Sequence, residues 1–216
     1  MPKVLTLGNP RTNQCKQPTG WFGRLILRNM NSRHSKVTDW GLSHISIPTA
    51  GAILDVGCGG GRTIAKLAAK APTGKVYGVD YSSDSVAVAT KFNRQSIEAR
   101  RVDIREASVS QLPFETDFFG LITAVETHFW WPDLPNDLHE VLRVLKPGGT
   151  LILIGEVYKG ANTMARALEK YVPLSGMTLL TPEEHRDLLV NAGYSDVQID
   201  LEPKKGCISA IGKKPG

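Results

Sequence analysis

Short apolar segments alternate with amphipathic segments from residue 50 to about residue 155 of this chain. A strand inside a parallel sheet is covered on both faces and shows a continuous apolar run, whereas a covering helix shows an apolar residue every three or four positions. The alternation therefore predicts a doubly wound α/β fold with a mostly parallel sheet. The predicted strands are residues 52–56, 75–79, 101–105, 119–125 and 150–154.

Two helices and a hairpin also have clear signals. Thr181, followed by a proline and by Glu184, predicts a capped helix that ends near residue 192. Residues 197–201 and 207–211 flank a Pro-Lys-Lys-Gly turn, which predicts an antiparallel hairpin at the end of the sheet. A further helix is predicted over residues 134–145, whose apolar residues share one face: Leu134, Leu138, Val141, Leu142 and Leu145.

Residues 1–49 fall outside the alternation and are predicted to form a basic helical arm, followed by a sheet domain over residues 50–216. A second helical stretch of the arm covers residues 34–44. Because the core strands begin only after Pro48, we expect the arm to lie as a lid over the carboxyl edge of the sheet. Its first helix is indicated by apolar residues at helical spacing: Trp21, Phe22, Leu25, Ile26 and Met30.

The net charge of +5 is concentrated at the front of the chain. Residues 1–50 contain seven Lys or Arg and one acidic residue, Asp39, so the remainder is close to neutral. A basic arm on a neutral core is typical of proteins with an anionic substrate, a polyanion or a membrane surface as partner, and equally of a solvated helical face. Charge alone therefore assigns no nucleic acid partner.

Cysteine usage and hydropathy indicate a cytoplasmic protein without a transmembrane segment. Cys15, Cys58 and Cys207 are odd in number and lack metal-ligand spacing, so we expect neither a disulfide framework nor a metal site. No apolar run reaches the roughly 18 residues of a membrane span. Residues 1–13 lack the basic and then apolar layout of a signal peptide.

Residues 53–62 read Ile-Leu-Asp-Val-Gly-Cys-Gly-Gly-Gly-Arg, which is a buried strand running into a glycine-rich turn that opens a helix. Ligands of open α/β sheets bind beyond the carboxyl ends of the strands, where glycines let a ligand approach bare backbone. Gly57, Gly59 and Gly61 fit that role. A dinucleotide fingerprint would need glycine at the position of Arg62, so the spacing differs from that of a dehydrogenase.

Asp80 ends the next predicted strand, 25 residues after Asp55. A carboxylate at this edge can accept hydrogen bonds from both ribose hydroxyls of an adenosine, and it repels a phosphate. Capping of the following helix is the other interpretation, for which Ser82 or Ser83 is already present. We therefore assign Asp80 to ribose binding.

These motifs resemble the class I S-adenosylmethionine-dependent methyltransferases, in the group that includes ubiquinone and menaquinone biosynthesis C-methyltransferases and small-molecule methyltransferases. The resemblance covers residues 51–154 and includes Leu-Pro-Phe at 112–114 and Leu-Lys-Pro-Gly-Gly at 145–149. It implies a Rossmann-like fold and S-adenosyl-L-methionine as cofactor, with S-adenosyl-L-homocysteine as product. The cofactor contacts that it implies fall on Asp55, Gly57, Cys58, Gly59, Gly61, Asp80, Tyr81, Ala107, Ser108, Val109 and Glu126.

Ser108 departs from the pattern, because many relatives have an aspartate there that receives the adenine amino group. A serine hydroxyl also accepts that hydrogen bond, but without charge assistance the bond is weaker. The adenine contact is therefore left open between Ser108 and its neighbours Ala107 and Val109.

The catalytic candidates follow the fourth predicted strand, in the segment Glu-Thr-His-Phe-Trp-Trp at residues 126–131. His128 is a candidate general base, and Glu126 is a candidate base or cofactor contact. The segment does not resemble the pattern of Asn or Asp, Pro-Pro and an aromatic residue of enzymes that methylate adenine bases or glutamine side chains. It also lacks the Pro-Cys pattern of cytosine C5 enzymes. A small molecule, anionic or aromatic, is thus the expected acceptor. RNA, a quinone-like lipid and a non-catalytic cofactor-binding role remain as alternatives.

Overall fold

A computed structural model describes residues 35–170, 172 and 176–216. Seven strands form one sheet in the order β3-β2-β1-β4-β5-β7-β6. Strands β1 to β5 are parallel, and β7 and β6 are antiparallel to their neighbours. The strands are β1 (Ala50–Val56), β2 (Thr73–Asp80), β3 (Val102–Glu106), β4 (Phe119–Val125), β5 (Leu145–Gly155), β6 (Ser195–Glu202) and β7 (Cys207–Lys213).

One described helix precedes β1, and the others lie in the connections between the strands. A short 3₁₀ helix (His128–Trp130) follows β4 directly. The α-helices are α1 (Ser35–Leu42), α2 (Arg62–Lys70), α3 (Ser83–Phe92), α4 (Arg94–Glu98), α5 (Leu134–Val144), α6 (Thr163–Glu169) and α7 (Pro182–Asn191). None of them is long and apolar enough to cross a membrane.

The predicted fold class is confirmed: the sheet is mostly parallel, and the C-terminal hairpin adds its two antiparallel strands. Thr181 caps α7 with a full capping box that includes Glu184, as the sequence indicated. Strand β5 begins at Leu145, five residues before the predicted start. The reason is that its Lys-Pro-Gly-Gly segment continues the strand, with Gly148 donating to the carbonyl of Lys214, instead of forming only a turn.

The sheet buries both of its faces, because neighbouring residues of each central strand point in opposite directions. On one face, Ile53 and Ile152 pack with Ile64 of α2. On the other face, Leu54 and Leu151 pack in a second cluster that includes residues of α5 and α7. Strand β1 lies between β2 and β4, so the chain crosses to opposite sides of β1, and this topology opens a crevice at the carboxyl ends of the strands.

Helix α1 belongs to this core. Val37 and Leu42 are buried in the same cluster as Ile154 of β5, and the Lys66 ammonium of α2 donates to the carbonyl and the hydroxyl of Ser35. The expected arm over residues 1–49 therefore includes a helix that packs on a face of the sheet. The lid hypothesis now concerns residues 1–34, which lie outside the described residues together with the predicted first helix.

Gly41 sets how closely α1 approaches the sheet, since a Cβ atom at this position would lie 2.5 Å from Cδ1 of the fully buried Ile154. We predict that Gly41→Val lowers the free energy of unfolding by about 1–3 kcal/mol through overpacking. Urea denaturation measures the change. Gly120→Ala is the control, because a Cβ atom there meets nothing within 4 Å. Equal stabilities of the two variants would contradict the close packing of α1.

Candidate active site at the carboxyl edge of the sheet

The glycine turn after β1 is shaped by positive backbone angles and close packing. Gly57, Gly59 and Gly61 have φ angles of 69°, 51° and 78°, a region that favours glycine. A Cβ atom at Gly57 would lie 2.1 Å from Oγ1 of Thr127, so the turn touches the segment that follows β4. The side-chain amide of Asn93 donates to the Gly61 carbonyl at 2.9 Å and holds the turn from the side of α3.

The turn uses its own backbone N–H groups inside the protein. The amides of Gly57 and Cys58 both donate to the carbonyl of Val79, at 2.8 and 2.9 Å, and the amide of Gly61 donates to the Cys58 carbonyl. The amide of Gly59 donates to Oδ2 of Asp80 at 2.9 Å. A pyrophosphate binds to such glycine turns through N–H donors. These four donors are already engaged, which suits a ligand other than a pyrophosphate.

Asp80 lies against the glycine turn at the end of β2. Its Oδ1 accepts from the amide of Ser82 at 3.0 Å, in addition to the Gly59 bond on Oδ2. Ser82 is the N-cap of α3, so Asp80 is not that cap. Burial raises the pKa of Asp80, and the two amide hydrogen bonds partly oppose the rise. The Ser85 hydroxyl is a third donor to this carboxylate. A carboxylate has about four lone-pair sites, so at least one further donor can bind here.

Asp55 is a second buried carboxyl group, one strand away from Asp80. The hydroxyl of Thr123 on β4 donates to Oδ1 of Asp55 at 2.6 Å. Burial raises the pKa of Asp55 to about 7, against the lowering effect of the Thr123 hydrogen bond, and the nearby Asp80 adds to the rise. A ligand that carries positive charge would stabilise the ionised form of both carboxyl groups.

The candidate adenine segment follows β3. The amide of Ala107 donates to the backbone carbonyl of Asp80. The Ser108 hydroxyl accepts from the amide of Ser110 at 3.2 Å, and Val109 is buried in the core. The Tyr81 side chain is 45% exposed at the same edge, next to Asp80. The predicted group is therefore brought together at one edge of the sheet, between the ends of β2 and β3.

Cys58 turns its side chain away from the solvent. It is buried in the cluster that contains Ile64, and burial raises its pKa well above the usual value. Any contact of Cys58 with a ligand would thus involve its backbone. Within the described ranges, no three His, Cys, Asp or Glu side chains form a group that could hold a metal ion.

Glu126 and His128 follow β4 but have different surroundings. The Glu126 carboxylate accepts a hydrogen bond from the Glu156 amide, which ties the end of β4 to the end of β5. Glu126 has a φ angle of 58°, a rare value for a residue with a side chain. His128 is buried, and its Nε2 lies 3.2 Å from Nε2 of His185 on α7. The aromatic neighbours divide as well: Phe129 and Trp131 are buried, and Trp130 is half-buried.

Three contacts of this site had no signal in the sequence. They join residues that are far apart along the chain: Asn93 with Gly61, Thr123 with Asp55, and His185 with His128. A capping box identifies α7, but nothing in the sequence says that the next residue, His185, faces the segment after β4. Only the packing of α7 against the sheet brings the two histidines together.

The fold and this edge define a doubly wound α/β protein with a glycine-turn ligand site. Residues 54–153 of this 216-residue chain match the family of methyltransferase domains. The match covers β2, β3 and β4, the end of β1, most of β5, and the candidate site from Asp55 to His128.

Similar proteins carry methyltransferase names. The chain is 33% identical over 165 residues to the methyltransferase GfsG of Streptomyces halstedii, covering 75% of this chain and 59% of the relative. It is 36% identical over 102 residues to the demethylmenaquinone methyltransferase of Bacillus mycoides, covering 47% of this chain and 43% of the relative. The fold resembles that of the Haemonchus contortus phosphoethanolamine N-methyltransferase 2 in complex with phosphomonomethylethanolamine and S-adenosylhomocysteine. There the TM-score is 0.69 at 17% identity, over 95% of this chain and 57% of that one.

Asp55 generates a prediction about stability and pH. The usual pKa of an aspartate is 3.8, and that of Asp55 in the folded protein is about 7. At pH values between these two, the folded protein keeps a proton on Asp55 that the unfolded chain has released. The free energy of unfolding therefore falls as pH rises through this window. Asp55→Asn cannot ionise at this position. We predict that, without ligand, its free energy of unfolding rises relative to that of the wild type by about 2 kcal/mol between pH 5 and pH 8.

Urea denaturation at both pH values measures this difference. Asp200→Asn on the distant strand β6 controls for the substitution itself. A gap between Asp55→Asn and the wild type that stays constant with pH would show that Asp55 is not a buried acid with a raised pKa.

Proposed function

We propose that this chain is an S-adenosylmethionine-dependent methyltransferase that acts on a small molecule. The observation that carries the proposal is the pairing of a glycine turn whose amides are engaged internally with two buried carboxyl groups, Asp55 and Asp80. Such a site offers oxygen acceptors and negative charge. It suits a ligand with ribose hydroxyls, an ammonium group and a sulfonium.

The site residues divide between the parts of this cofactor. Asp80 would accept from the ribose with the part of its carboxylate that Gly59, Ser82 and Ser85 leave open. Tyr81 and the segment at 107–109 would border the adenine. Asp55 and the glycine turn would hold the methionine end. When bound, the cofactor supplies an electrophilic methyl group on a positively charged sulfur. The chain's own task is to hold the acceptor in line and to receive its proton.

A dehydrogenase fits the same site poorly. Nicotinamide dinucleotides need N–H donors for their pyrophosphate, and Gly57, Cys58, Gly59 and Gly61 spend theirs on protein oxygens. Buried carboxyl groups at this edge would also repel the phosphates. The methyltransferase assignment therefore agrees with the glycine spacing and with the charge of the site.

His128 is the stronger of the two base candidates. The Glu126 carboxylate is engaged by the Glu156 amide, whereas Nδ1 of His128 has no hydrogen-bond partner among the residues that the structure describes. His128 is also next to Thr127, whose hydroxyl touches the glycine turn at Gly57. We assign His128 as general base and Glu126 to the shape of the site.

The acceptor is proposed to be neutral and partly apolar. A groove of about 570 Å³ is formed by the loop after His128 and by α7. Its walls combine apolar and acidic side chains, which would repel an anion. A quinone substrate would suit such walls, in keeping with the quinone-directed name of one relative. The groove residues include Trp131, Leu134, Leu180 and Leu188, with Asp133, Glu184 and Asp187.

We predict micromolar binding of S-adenosylhomocysteine, and no binding of NAD, by calorimetry. Asp80→Ala should weaken the affinity at least about 10-fold, since each lost hydrogen bond to a charged acceptor costs about 1.5–3 kcal/mol. Asp200→Ala on β6 is the matched control and should bind as the wild type does. Binding of NAD would contradict the proposal. An affinity of Asp80→Ala for S-adenosylhomocysteine equal to that of the wild type would contradict it as well.

Labelled S-adenosylmethionine then tests transfer and acceptor class together. Three separate extracts serve as acceptors: polar metabolites, lipids and total RNA. We expect label in the polar or lipid fraction. Label in RNA alone would overturn the small-molecule assignment, and cofactor binding without label in any fraction would indicate a non-catalytic relative.

The lid hypothesis gives a further prediction. A variant without residues 1–34 retains α1 and every proposed cofactor residue, so it should fold and bind S-adenosylhomocysteine with unchanged affinity. Transfer of label should fall at least 10-fold if the removed segment closes over the acceptor. Unchanged transfer, or loss of cofactor binding, would contradict the lid. The matched comparison is a variant without residues 1–13, which should retain transfer because the predicted arm helix begins later.

A further inference from the structure

A chain of hydrogen bonds links α7 to the segment after β4. Nδ1 of His185 lies 2.8 Å from the carbonyl oxygen of Thr181, one helical turn earlier. On the other side of the ring, Nε2 of His185 lies 3.2 Å from Nε2 of His128. Both histidines are 2% exposed, so water does not replace these partners.

The chemistry of the groups fixes the direction of each bond. A carbonyl oxygen only accepts, so Nδ1 of His185 carries the hydrogen. In a neutral imidazole the other nitrogen is then an acceptor, and Nε2 of His185 receives a hydrogen bond. The donor is Nε2–H of His128. Nδ1 of His128 is therefore left as an unprotonated acceptor, buried and without a partner in the described parts of the chain.

We propose that His185 is a positioning residue that keeps Nδ1 of His128 unprotonated and able to receive the acceptor's proton. The inference rests on the proposed methyl transfer and adds to it the residue that prepares the base. His185 itself touches neither substrate nor cofactor. It acts only through the orientation and the tautomer of His128, as a residue that orients a general base commonly does.

Methyl transfer and the loss of the acceptor's proton occur together in the proposed reaction. The acceptor's nucleophilic atom forms a bond to the methyl carbon, and the bond from that carbon to sulfur breaks with its electron pair remaining on sulfur. The proton of the nucleophile passes to Nδ1 of His128. The resulting imidazolium keeps its Nε2–H on the neutral Nε2 of His185, which is the best acceptor available to that hydrogen in a buried position.

Burial favours the neutral pair before the reaction. It lowers the pKa of His128 well below the usual value, with a further lowering from His185, and it lowers the pKa of His185 as well. His128 is therefore neutral at pH 7, the form that a general base requires, although the same burial makes it a weaker base. An unpartnered buried acceptor is also costly to the fold, a cost that is typical of functional groups rather than of packing.

The tautomers are tested directly by NMR of protein labelled with ¹⁵N-histidine, at pH 7 and in the presence of S-adenosylhomocysteine. We expect His128 to carry hydrogen on Nε2 only and His185 on Nδ1 only. Assignment uses the His128→Gln and His185→Gln variants. A hydrogen on Nδ1 of His128, or an imidazolium at either position, overturns the proposal whatever the enzyme's activity.

Two substitutions of His185 separate positioning from structure. His185→Leu removes the acceptor for Nε2–H, so His128 should populate both tautomers and label transfer into the extracts should fall 10-fold or more. His185→Gln retains an acceptor oxygen and should keep transfer within about threefold of the wild type. Affinity for S-adenosylhomocysteine should change less than twofold in both. His139→Leu on the exposed side of α5 is the control and should leave tautomers and transfer unchanged.

The outcomes separate this inference from the proposed function. A wild-type protein that transfers no label fails as a methyltransferase, and the NMR spectrum then still decides the tautomer of His128. Equal transfer by wild type and His185→Leu overturns the positioning role. A loss in His185→Gln as large as that in His185→Leu would also overturn it, because packing and not the hydrogen bond would then be responsible.

Discussion

The structure of the site depends on the hydrogen bonds that two successive amides, those of Gly57 and Cys58, make to the carbonyl of Val79. They continue the β1–β2 pairing past the end of β1 and force the chain to turn. The turn then directs the Gly59 amide onto Asp80. Because these amides are bonded to protein oxygens, the site presents oxygen acceptors and not N–H donors to a ligand. Its negative charge follows from that geometry.

A buried negative site is destabilising until a cation or several donors arrive, since burial penalises the charged forms of Asp55 and Asp80. Hydrogen bonds from Thr123 to Asp55, and from Ser82, Gly59 and Ser85 to Asp80, reduce this cost. Binding of a positively charged cofactor would offset the remainder. Affinity and stability are thus coupled through the same two carboxyl groups, which is a general feature of preorganised sites.

The edge beyond β4 is organised by packing and by the hydrogen bonds of Glu126 and of two histidines. Thr127 is packed on Gly57, the Glu126 carboxylate joins the ends of two strands, and His128 is held by His185. The buried carboxyl groups and the buried histidines form two neighbouring parts of this edge of the sheet, because Thr127 packs on the glycine turn. The first part suits a cation, and the second suits the uptake of a proton.

The sequence determined the alternation of strands and helices along the chain, the hairpin and the glycine turn. Periodicity, caps and positive-φ positions are local properties of the chain. It also indicated Asp80 as a site residue, because Asp80 ends a predicted strand and so lies at the carboxyl edge of the sheet. Only the tertiary structure decided that α1 packs in the core, that Thr123 meets Asp55 and that His185 meets His128. The last two pairs are 68 and 57 residues apart. Such contacts arise from the way separate helices and strands pack together, and no local pattern records them.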